Sequence, residues 1–416
     1  MSENLLLKGI KVIDAASFIA GPSSTTILSD FGAEVIKIEP PKVGDSLRHL
    51  ILRTRRVNPQ SEKDYCWHLT SRNKKSLALD LNTSKGQEIL KELVKNSDVF
   101  VTNMPEKTRE KLKIRAKDLL PINERLVYGS LTGYGEDGED SHRTAFDVLA
   151  WWARSGLMDI VRPSENSSPG FVPIGIGDQP SGVALFASIM TALYRREKTG
   201  KGGEVYTSLM ANGAWSNGSY IQAGLFDAEF PDRQDESPLH PFGGRYKTKD
   251  GRFLLLAIID AAKEWPKFLE AMNLEYLNKN EKFSNFKNLN INFKELYKIL
   301  EDVFIQIDLS DAIDKLKNSG VTFGFMNKSE DLAEDKQFLD SEVLIKYEDQ
   351  AFGDDTLTVN SPIFIKDEIK KTPKKGPELG EHTKQILFDL GKTEKDIKEL
   401  KAVSYTHLTL PTKCSV

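Results

Sequence analysis

The chain has 416 residues, of which 39% are apolar and 28% charged, and this length favours two domains over one simple core. The formal net charge of −4 gives no basic surface for nucleic acid or anionic membranes. Cys66 and Cys414 are too few for a disulfide framework, residues 1–4 lack a signal-peptide pattern, and the longest apolar run, 253–259, cannot span a bilayer; we expect a cytoplasmic protein without membrane segments.

The first half of the chain alternates short runs of β-forming residues with amphipathic helical patterns. We predict strands over residues 10–15, 33–38, 76–81, 98–102, 126–131 and 204–209. Helices are predicted near residues 22–30, 84–96, 105–113 and 211–224, and one more begins at Asp178. This alternation favours a parallel sheet with helices on both faces.

The composition changes at residues 227–240, which are acidic, polar and proline-bearing, and we interpret them as a linker. Beyond it, residues 245–248 and 253–259 predict a β-hairpin around an Asp250-Gly251 turn. Helices are predicted over 264–273 and within 293–317, strand-like sequence over 338–363, and a polar helix-turn-helix over 376–402.

Residues 403–416 do not resemble the end of a folded domain. They match an in-frame translation of a transposase adapter used in sequencing libraries, so we interpret them as a non-native tail. A genuine flexible tail is the alternative. On the first interpretation, His407 and Cys414 carry no function.

Asp178 follows a glycine-rich turn, Gly175-Ile176-Gly177, and stands at the start of a predicted helix that ends at Gly200. A carboxylate there faces free backbone N–H groups and the positive end of the helix dipole, so we expect it to stay ionised. From spacing alone, a helix cap is the favoured role for Asp178.

Several segments together resemble the class III CoA-transferase family. They include Arg72-Asn73-Lys74-Lys75-Ser76 and Gly177-Asp178. The others are residues 7–14, 20–22, 28–40, 126–128, 132–135, 146–147, 199–202 and 379–383. The resemblance spans residues 5–402, and the co-occurrence of these motifs in order is highly specific.

The resemblance implies that Asp178 is the nucleophile of a CoA transfer. It would attack an acyl-CoA thioester, pass through a mixed anhydride and an aspartyl-CoA thioester, and hand CoA to an incoming carboxylate. Holding the carboxylate beside a bound thioester makes the attack intramolecular. Its ordinary pKa of about 3.9 would keep it anionic without a partner base, and glycine-rich backbone N–H groups could form an oxyanion hole.

Phe146 decides between subfamilies. Racemases of this family carry a histidine at this position, before the aspartate that matches Asp147, and use it to move a proton. Phenylalanine cannot transfer a proton, so racemase activity is disfavoured and CoA transfer is preferred.

The resemblance also implies a set of CoA-binding residues. They are Ser17, Phe18, Ile19, Ala20, Arg72, Asn73, Lys74, Lys75, Asn103, Lys111 and Arg143. Cations among them suit phosphate contacts, although each lysine could equally be a solvated surface charge. Pro40 and Ile19 depart from formyl-CoA transferase, which has an arginine and a glutamine at these positions.

These departures, with Ser237-Pro238-Leu239 and residues 245–252, are similar to the 2-hydroxyacyl CoA-transferase branch. We therefore expect CoA transfer to a 2-hydroxy acid; carnitine, formyl/oxalate or succinate types are the alternatives. Phe18, Tyr134, Trp151 and Trp152 could wall an apolar acyl pocket. Core or dimer packing is an equal alternative for the two tryptophans.

The resemblance implies a Rossmann-like α/β domain built from both chain ends, residues 1–227 and 336–402, with a smaller α+β domain over 228–335. It further implies an interlocked homodimer, acyl-CoA and a small carboxylic acid as substrates, and no permanently bound cofactor. Two other classes were weighed. A dehydrogenase is disfavoured because Gly21 stands alone instead of a full dinucleotide-binding glycine motif, and a non-catalytic CoA-binding protein because Asp178 is kept in its full setting.

Overall fold

A computed structural model describes residues 5–50, 59–230, 240–348, 352–353 and 356–402. Contacts divide the chain into a large unit, residues 1–162, 168–230 and 337–416, and a small unit, residues 163–167 and 231–336. The proposed tail over 403–416, most of the proposed linker and the Ser237-Pro238-Leu239 motif lie outside the described residues. Residues 163–167 belong to the small unit, whereas the sequence placed them within the large domain.

The large unit is organised by a six-stranded parallel sheet. Its strands are β1 (Lys11–Asp14), β2 (Glu34–Glu39), β3 (Lys75–Ala78), β4 (Val99–Thr102), β5 (Val127–Thr132) and β6 (Gly203–Ser208). Their spatial order is β3-β2-β1-β4-β5-β6. Every residue of β4 and β5 is buried, as expected when helices cover both faces of a parallel sheet. The predicted fold class is confirmed.

The helices of the large unit follow the predicted alternation. The α-helices are Ala20–Asp30, Tyr65–Ser71, Ser84–Lys95, Glu106–Lys111, Ala116–Leu119, Leu157–Ile160, Asp178–Thr199, Leu209–Ser216, Gly218–Leu225, Lys336–Asp340, Thr383–Asp389 and Glu394–Ala402. Leu387 and Leu400 pack with Leu90 and Phe100 in one core cluster, so the two ends of the chain share a hydrophobic core.

Two helices on the other face approach each other closely. The helix Ala20–Asp30 packs against the helix Asp178–Thr199, which we call the Asp178 helix. At Gly182 a Cβ would lie 2.6 Å from Ser23 Cβ and 2.8 Å from the Ala20 carbonyl oxygen. Only glycine fits this crossing, which fixes the first turns of the Asp178 helix against the first turn of the helix Ala20–Asp30.

The small unit is a three-stranded antiparallel sheet packed with helices. Its strands are β7 (Arg245–Lys247), β8 (Phe253–Leu256) and β9 (Phe323–Phe325), in the order β7-β8-β9. Its α-helices are Ala261–Met272, Phe286–Ile291, Phe293–Phe304 and Leu309–Leu316. The predicted hairpin is confirmed. The third strand was not predicted, because three residues are too few for a periodic signal.

Some predicted elements differ from the structure. The predicted helix over 211–224 is two helices separated at Asn217. In the strand-like region 338–363, the described residues form β10 (Leu344–Lys346) and β11 (Leu357–Val359), after a short helix. A π-helix, Val148–Ala153, was missed because its six residues are too few to establish a helical period in the sequence. None of the helices in the described ranges is long and apolar enough to cross a membrane.

Candidate active site

A cavity of about 280 Å³ opens at the carboxyl ends of β1, β4 and β5. The strand order reverses between β1 and β4, and crevices at such a switch point are where parallel α/β sheets bind ligands. The cavity is lined by Ser17, Phe18, Ala20, Asn103, Met104, Pro105, Leu131, Thr132, Gly133, Ser141, Arg143, Thr144, Ala145, Phe146, Asp178 and Leu209. Six of the twelve predicted site residues are therefore brought together here, Asp178 among them.

The loop after β1 is held by side chains from neighbouring strands. Asn103, one residue beyond β4, accepts a hydrogen bond from the Ser17 N–H at 2.8 Å and donates to the Ser17 carbonyl at 2.7 Å. The Ala16 N–H donates to Asp14 Oδ1 at 3.1 Å. These bonds fix the backbone that carries Ser17, Phe18 and Ala20 into the cavity.

A buried charge network lies beneath this loop. Lys37 Nζ is 2.7 Å from Asp45 Oδ2 and 3.6 Å from Asp14 Oδ1, and Lys74 Nζ is 2.9 Å from Asp14 Oδ2. Burial opposes the charge on Asp14, but Lys37 and Lys74 outweigh it and lower the pKa of Asp14 to about 2. Burial, opposed by Asp14, lowers the pKa of Lys74 to about 8. Because these ion pairs are buried beneath the loop that lines the cavity, the network belongs to the scaffold of the site.

Asp178 is the first residue of its helix, and Gly177 is the cap residue. None of the residues described in the structure donates a hydrogen bond to the Asp178 carboxylate. The prediction that Asp178 caps the helix is therefore wrong. The side chain is half-buried and faces the cavity instead. Gly177 leaves no room for a side chain, because a Cβ there would lie 2.5 Å from Trp151 Cγ.

The carboxyl group of Asp178 does not keep its ordinary acidity. Burial, with a further contribution from the negative charge of Asp147, raises the pKa of Asp178 to about 8. The prediction that the helix N-terminus alone would keep it ionised with an ordinary pKa is therefore wrong. The loss of water around the Asp178 carboxylate raises its pKa by more than the helix dipole lowers it, because no described residue donates a hydrogen bond to the carboxylate.

Asp147 is the second carboxylate of the site, and its side chain is only 4% exposed. Its Oδ2 accepts a hydrogen bond from the Gly177 N–H at 3.1 Å, and its Oδ1 accepts one from the Val148 N–H at 2.9 Å. Asp147 thereby ties the start of the π-helix to the residue before the predicted nucleophile. A buried acid at such a junction is a positioning group.

Aromatic side chains close part of the cavity. Phe18 and Phe146 meet edge to face, with ring centroids 5.8 Å apart. The ring of Tyr134 lies nearby in a cation–π contact with Arg143, and its centroid is 5.4 Å from the guanidinium carbon. Trp151 and Trp152 do not line the cavity; Trp151 packs behind Gly177, and Trp152 donates to the Gly170 carbonyl.

The other predicted CoA-binding residues lie away from this cavity. Ile19 is buried beside Leu47 and Trp67. Arg72 is buried in a bidentate pair with Asp30, at 2.9 and 2.8 Å. Lys74 belongs to the buried network, so both cations are buried in ion pairs and are not exposed to the cavity.

The remaining three are nearer the surface. Asn73 has a left-handed backbone, φ 64°, and its Oδ1 accepts from the Lys374 N–H at 2.9 Å. Lys75 Nζ lies 3.2 Å from Glu34 Oε1. Lys111 is an exposed residue at the end of the helix Glu106–Lys111. Arg143 is therefore the one predicted cation that the structure places on the cavity.

The sequence missed several residues of the site. Thr132, Gly133 and Leu209 line the cavity because Thr132 ends β5, Gly133 follows it and Leu209 follows β6, at the same edge as Asn103. Their position after predicted strands was a signal that could have found them. Asp45 and Lys37 had no such signal, since a buried ion pair looks like surface charge in a sequence.

Comparisons with known proteins cover nearly the whole chain. The family model described as CoA-transferase family III matches residues 7–383. The (R)-2-hydroxy-4-methylpentanoate CoA-transferase of Clostridioides difficile is 32% identical over 404 residues, 96% of this chain and 100% of the relative. The cinnamoyl-CoA:phenyllactate CoA-transferase of Clostridium sporogenes is 32% identical over 400 residues, 95% of this chain and 96% of the relative.

Among solved structures, a CaiB/BaiF family protein from Brucella suis superimposes with a TM-score of 0.79 at 26% sequence identity. The match covers 93% of this chain and 100% of that chain. The similarity in sequence and the similarity in fold therefore each extend over more than nine-tenths of this chain.

Proposed function

This chain belongs to CoA-transferase family III, and on that premise we propose that it moves CoA from an acyl-CoA to a 2-hydroxy acid, with Asp178 as the nucleophile. The observation that carries the proposal is the Asp178 carboxylate itself. It faces a cavity at the switch point of the sheet and accepts no hydrogen bond from any described residue. A free, partly desolvated carboxylate is a stronger nucleophile than a solvated one.

The proposed reaction consists of four acyl substitutions, each at a carbonyl carbon. It ends with a new thioester in place of the first one. Asp178 Oδ attacks the acyl-CoA carbonyl and expels the CoA thiolate, leaving a mixed anhydride. The thiolate attacks the aspartyl carbonyl and releases the first carboxylate. The incoming carboxylate attacks the aspartyl-CoA thioester and expels the thiolate, which leaves a second mixed anhydride. The thiolate then attacks the new acyl carbonyl, giving the product and free Asp178.

Binding of the CoA moiety is proposed for the cavity residues Ser17, Phe18, Ala20, Asn103 and Arg143. The Arg143 guanidinium suits a phosphate. Its ion pair with Asp140 lies at the surface, so replacing Asp140 by a phosphate as its partner costs little free energy. Ile19, Arg72, Asn73, Lys74, Lys75 and Lys111 stay predictions from the resemblance. For Arg72 and Lys74 we propose an indirect role, through the scaffold that supports the loop after β1.

An apolar 2-hydroxy acid is the acceptor that we propose. Phe18 and Phe146 line the cavity, and the relatives named above act on 2-hydroxy-4-methylpentanoate and on phenyllactate. Phe146 also argues against racemisation, because a phenyl ring at this position cannot exchange a proton with the acyl α-carbon. CoA and acyl-CoA serve as substrates, and a cytoplasmic location stays a prediction.

Replacement of the nucleophile tests the proposal. In Asp178→Asn, CoA transfer from cinnamoyl-CoA to 2-hydroxy-4-methylpentanoate is expected to fall by at least about 1000-fold, because the amide cannot form the anhydride. The measurement is the rate of new thioester formation by liquid chromatography. An amide carries no charge to desolvate, so the variant is expected to keep the wild-type melting temperature.

A matched control uses Asp311, an exposed acid in the first turn of the helix Leu309–Leu316. Asp311→Asn should keep full activity. Incubating wild-type enzyme with acyl-CoA and hydroxylamine or borohydride should modify Asp178, as seen by peptide mass spectrometry. Full transfer by Asp178→Asn, or modification elsewhere alone, would exclude Asp178 as the nucleophile.

A further inference from the structure

Two phenylalanines from separate elements form one wall of the active-site cavity. We infer that the Phe18–Phe146 pair selects the side chain of the acyl group, and that Asp45, buried behind the cavity, is the positioning residue that sets Phe18. This inference rests on the proposed CoA transfer and extends it to the residues that choose the substrate.

The geometry of the pair supports a selective role. Both rings line the cavity that Asp178 faces, and they meet at an interplanar angle of 85°. Edge-to-face pairs of this kind are attractive and restrict the motion of both rings. Phe146 keeps 49% of its surface exposed, so the pair presents apolar area that none of the described residues covers.

The backbone of Phe18 is held in a conformation that phenylalanine rarely adopts. Its φ is 60°, in the left-handed region, which needs compensation from the surroundings. The Phe18 N–H donates a hydrogen bond to Asp45 Oδ1 at 3.0 Å, while Asn103 grips the preceding Ser17. A relaxed, extended backbone at this position would aim the ring in another direction.

Asp45 is suited to hold this conformation because it is fixed from two sides. Its side chain is 1% exposed, and its Oδ2 lies 2.7 Å from Lys37 Nζ. Its Oδ1 also accepts from the Leu47 N–H at 2.9 Å. Lys37 is in turn paired with Asp14 at the end of β1, so these contacts fix the position of Phe18 relative to the sheet.

Selection then follows from surface chemistry. A branched or aromatic side chain on the acid can cover the two rings and remove apolar surface from water. A short acid leaves the rings uncovered, and a polar side chain would lose water against them without gaining a hydrogen bond. The wall therefore favours bulky apolar acids over small or charged ones, while the reacting carboxylates are handled at Asp178.

The test compares two acceptors, 2-hydroxy-4-methylpentanoate and lactate, with cinnamoyl-CoA as the fixed donor. The quantity measured is the ratio of their kcat/KM values. We expect a wild-type ratio of at least about tenfold in favour of the larger acid, since a few methylene groups give that much discrimination. Phe18→Ala and Phe146→Ala should each lower the ratio at least about fivefold, mainly through a higher KM for the larger acid.

A further pair of variants tests Asp45. In Asp45→Asn one side of the amide is a donor, so it cannot both accept from Phe18 N–H and pair with Lys37. The ratio should fall about threefold. In a Phe18→Ala background the same change should leave the ratio where Phe18→Ala put it, because Asp45 acts through the ring. A merely structural role for Asp45 would lower the activity on both acids without changing their ratio.

Phe388→Ala is the control, since Phe388 is partly exposed on the helix Thr383–Asp389 and lies outside the cavity lining. It should keep the wild-type ratio. Unchanged ratios in both phenylalanine variants would overturn the selective wall, and an additive effect of Asp45→Asn would overturn its positioning role. No transfer by the wild-type enzyme to either acid is a different result, which removes the proposed acceptor class itself.

Discussion

The charge state of Asp178 depends on its surroundings more than on its place at a helix end. A helix N-terminus stabilises a carboxylate by a few tenths to about 1 kcal/mol when exposed. Burial and Asp147 act in the opposite direction, and they raise the pKa of Asp178 to about 8. A carboxylate with this basicity is a better nucleophile, but it is available only when deprotonated.

The pH dependence of transfer follows with a definite sign. Since the reactive form is the anion, kcat/KM should fall tenfold per pH unit as pH drops below about 8. An ordinary aspartate would lose activity only near pH 4. Asp147→Asn should shift this acidic limb downward by up to about 1 pH unit, because it removes the like charge; its one amide oxygen can still accept from the Gly177 N–H, while the bond from the Val148 N–H is lost.

The measurement is kcat/KM from pH 5 to 9 in buffers of constant ionic strength. Asp137→Asn serves as the control, since Asp137 is exposed in the same stretch of chain and does not line the cavity. A wild-type limb near pH 4, or one that does not move in Asp147→Asn, would contradict the proposed coupling of the two carboxylates.

At the scale of elements, the position of Asp178 depends on the close crossing of two helices. Gly182→Ala puts a methyl group within 3 Å of Ser23 and of the Ala20 carbonyl, so the helices must separate. We expect a loss of about 1–3 kcal/mol in the free energy of unfolding, together with weaker activity. Urea denaturation, monitored by circular dichroism, measures the free energy of unfolding.

Gly218→Ala is the matched control, because a Cβ at Gly218 meets nothing within 4 Å at the start of the helix Gly218–Leu225. Alanine has the higher helix propensity, so stability there should be unchanged or higher by up to about 1 kcal/mol. Equal effects of the two substitutions would show that the crossing is not tightly packed.

The sequence predicted the elements that carry long periodic patterns and missed those that do not. The strands β1 to β6 and the helices Ser84–Lys95 and Asp178–Thr199 follow from the alternation of β-forming runs with amphipathic patterns, and Gly200 marked the end of the Asp178 helix. The π-helix Val148–Ala153 and the strand β9 do not, because neither contains enough residues to establish a period. The π-helix bears on the proposed site, since Asp147 is its N-cap residue and Phe146 precedes that cap.

At the scale of the whole molecule, large apolar side chains stand exposed on one stretch of the large unit. Trp215 is 88% exposed, and Leu225 and Phe226 are 72% and 77% exposed, on and just after the helices Leu209–Ser216 and Gly218–Leu225. Exposed apolar surface of this size is typical of an interface. The homodimer expected from the resemblance stays a prediction, and a second copy is the partner that we expect here.

Light scattering coupled to size exclusion is expected to give the mass of two chains. Trp215→Asp should shift the protein toward one chain and lower its specific activity, because a desolvated charge opposes association. Ile259→Asp is the control, as Ile259 is 92% exposed in the small unit. A wild-type protein of single-chain mass with full activity would exclude an obligate dimer.

The sequence by itself determined the family, the α/β class and the order of the main strands and helices along the chain, and it singled out Asp178 as the candidate nucleophile, because these depend on periodicity and on motifs that can be read locally. The tertiary structure decided what surrounds Asp178. Its raised pKa, the pairing of Asp147 with Gly177, and the place of Arg72 and Lys74 in buried ion pairs all depend on distances between residues far apart in the chain. Burial and Coulomb interactions act through space, and no local pattern of residues encodes them.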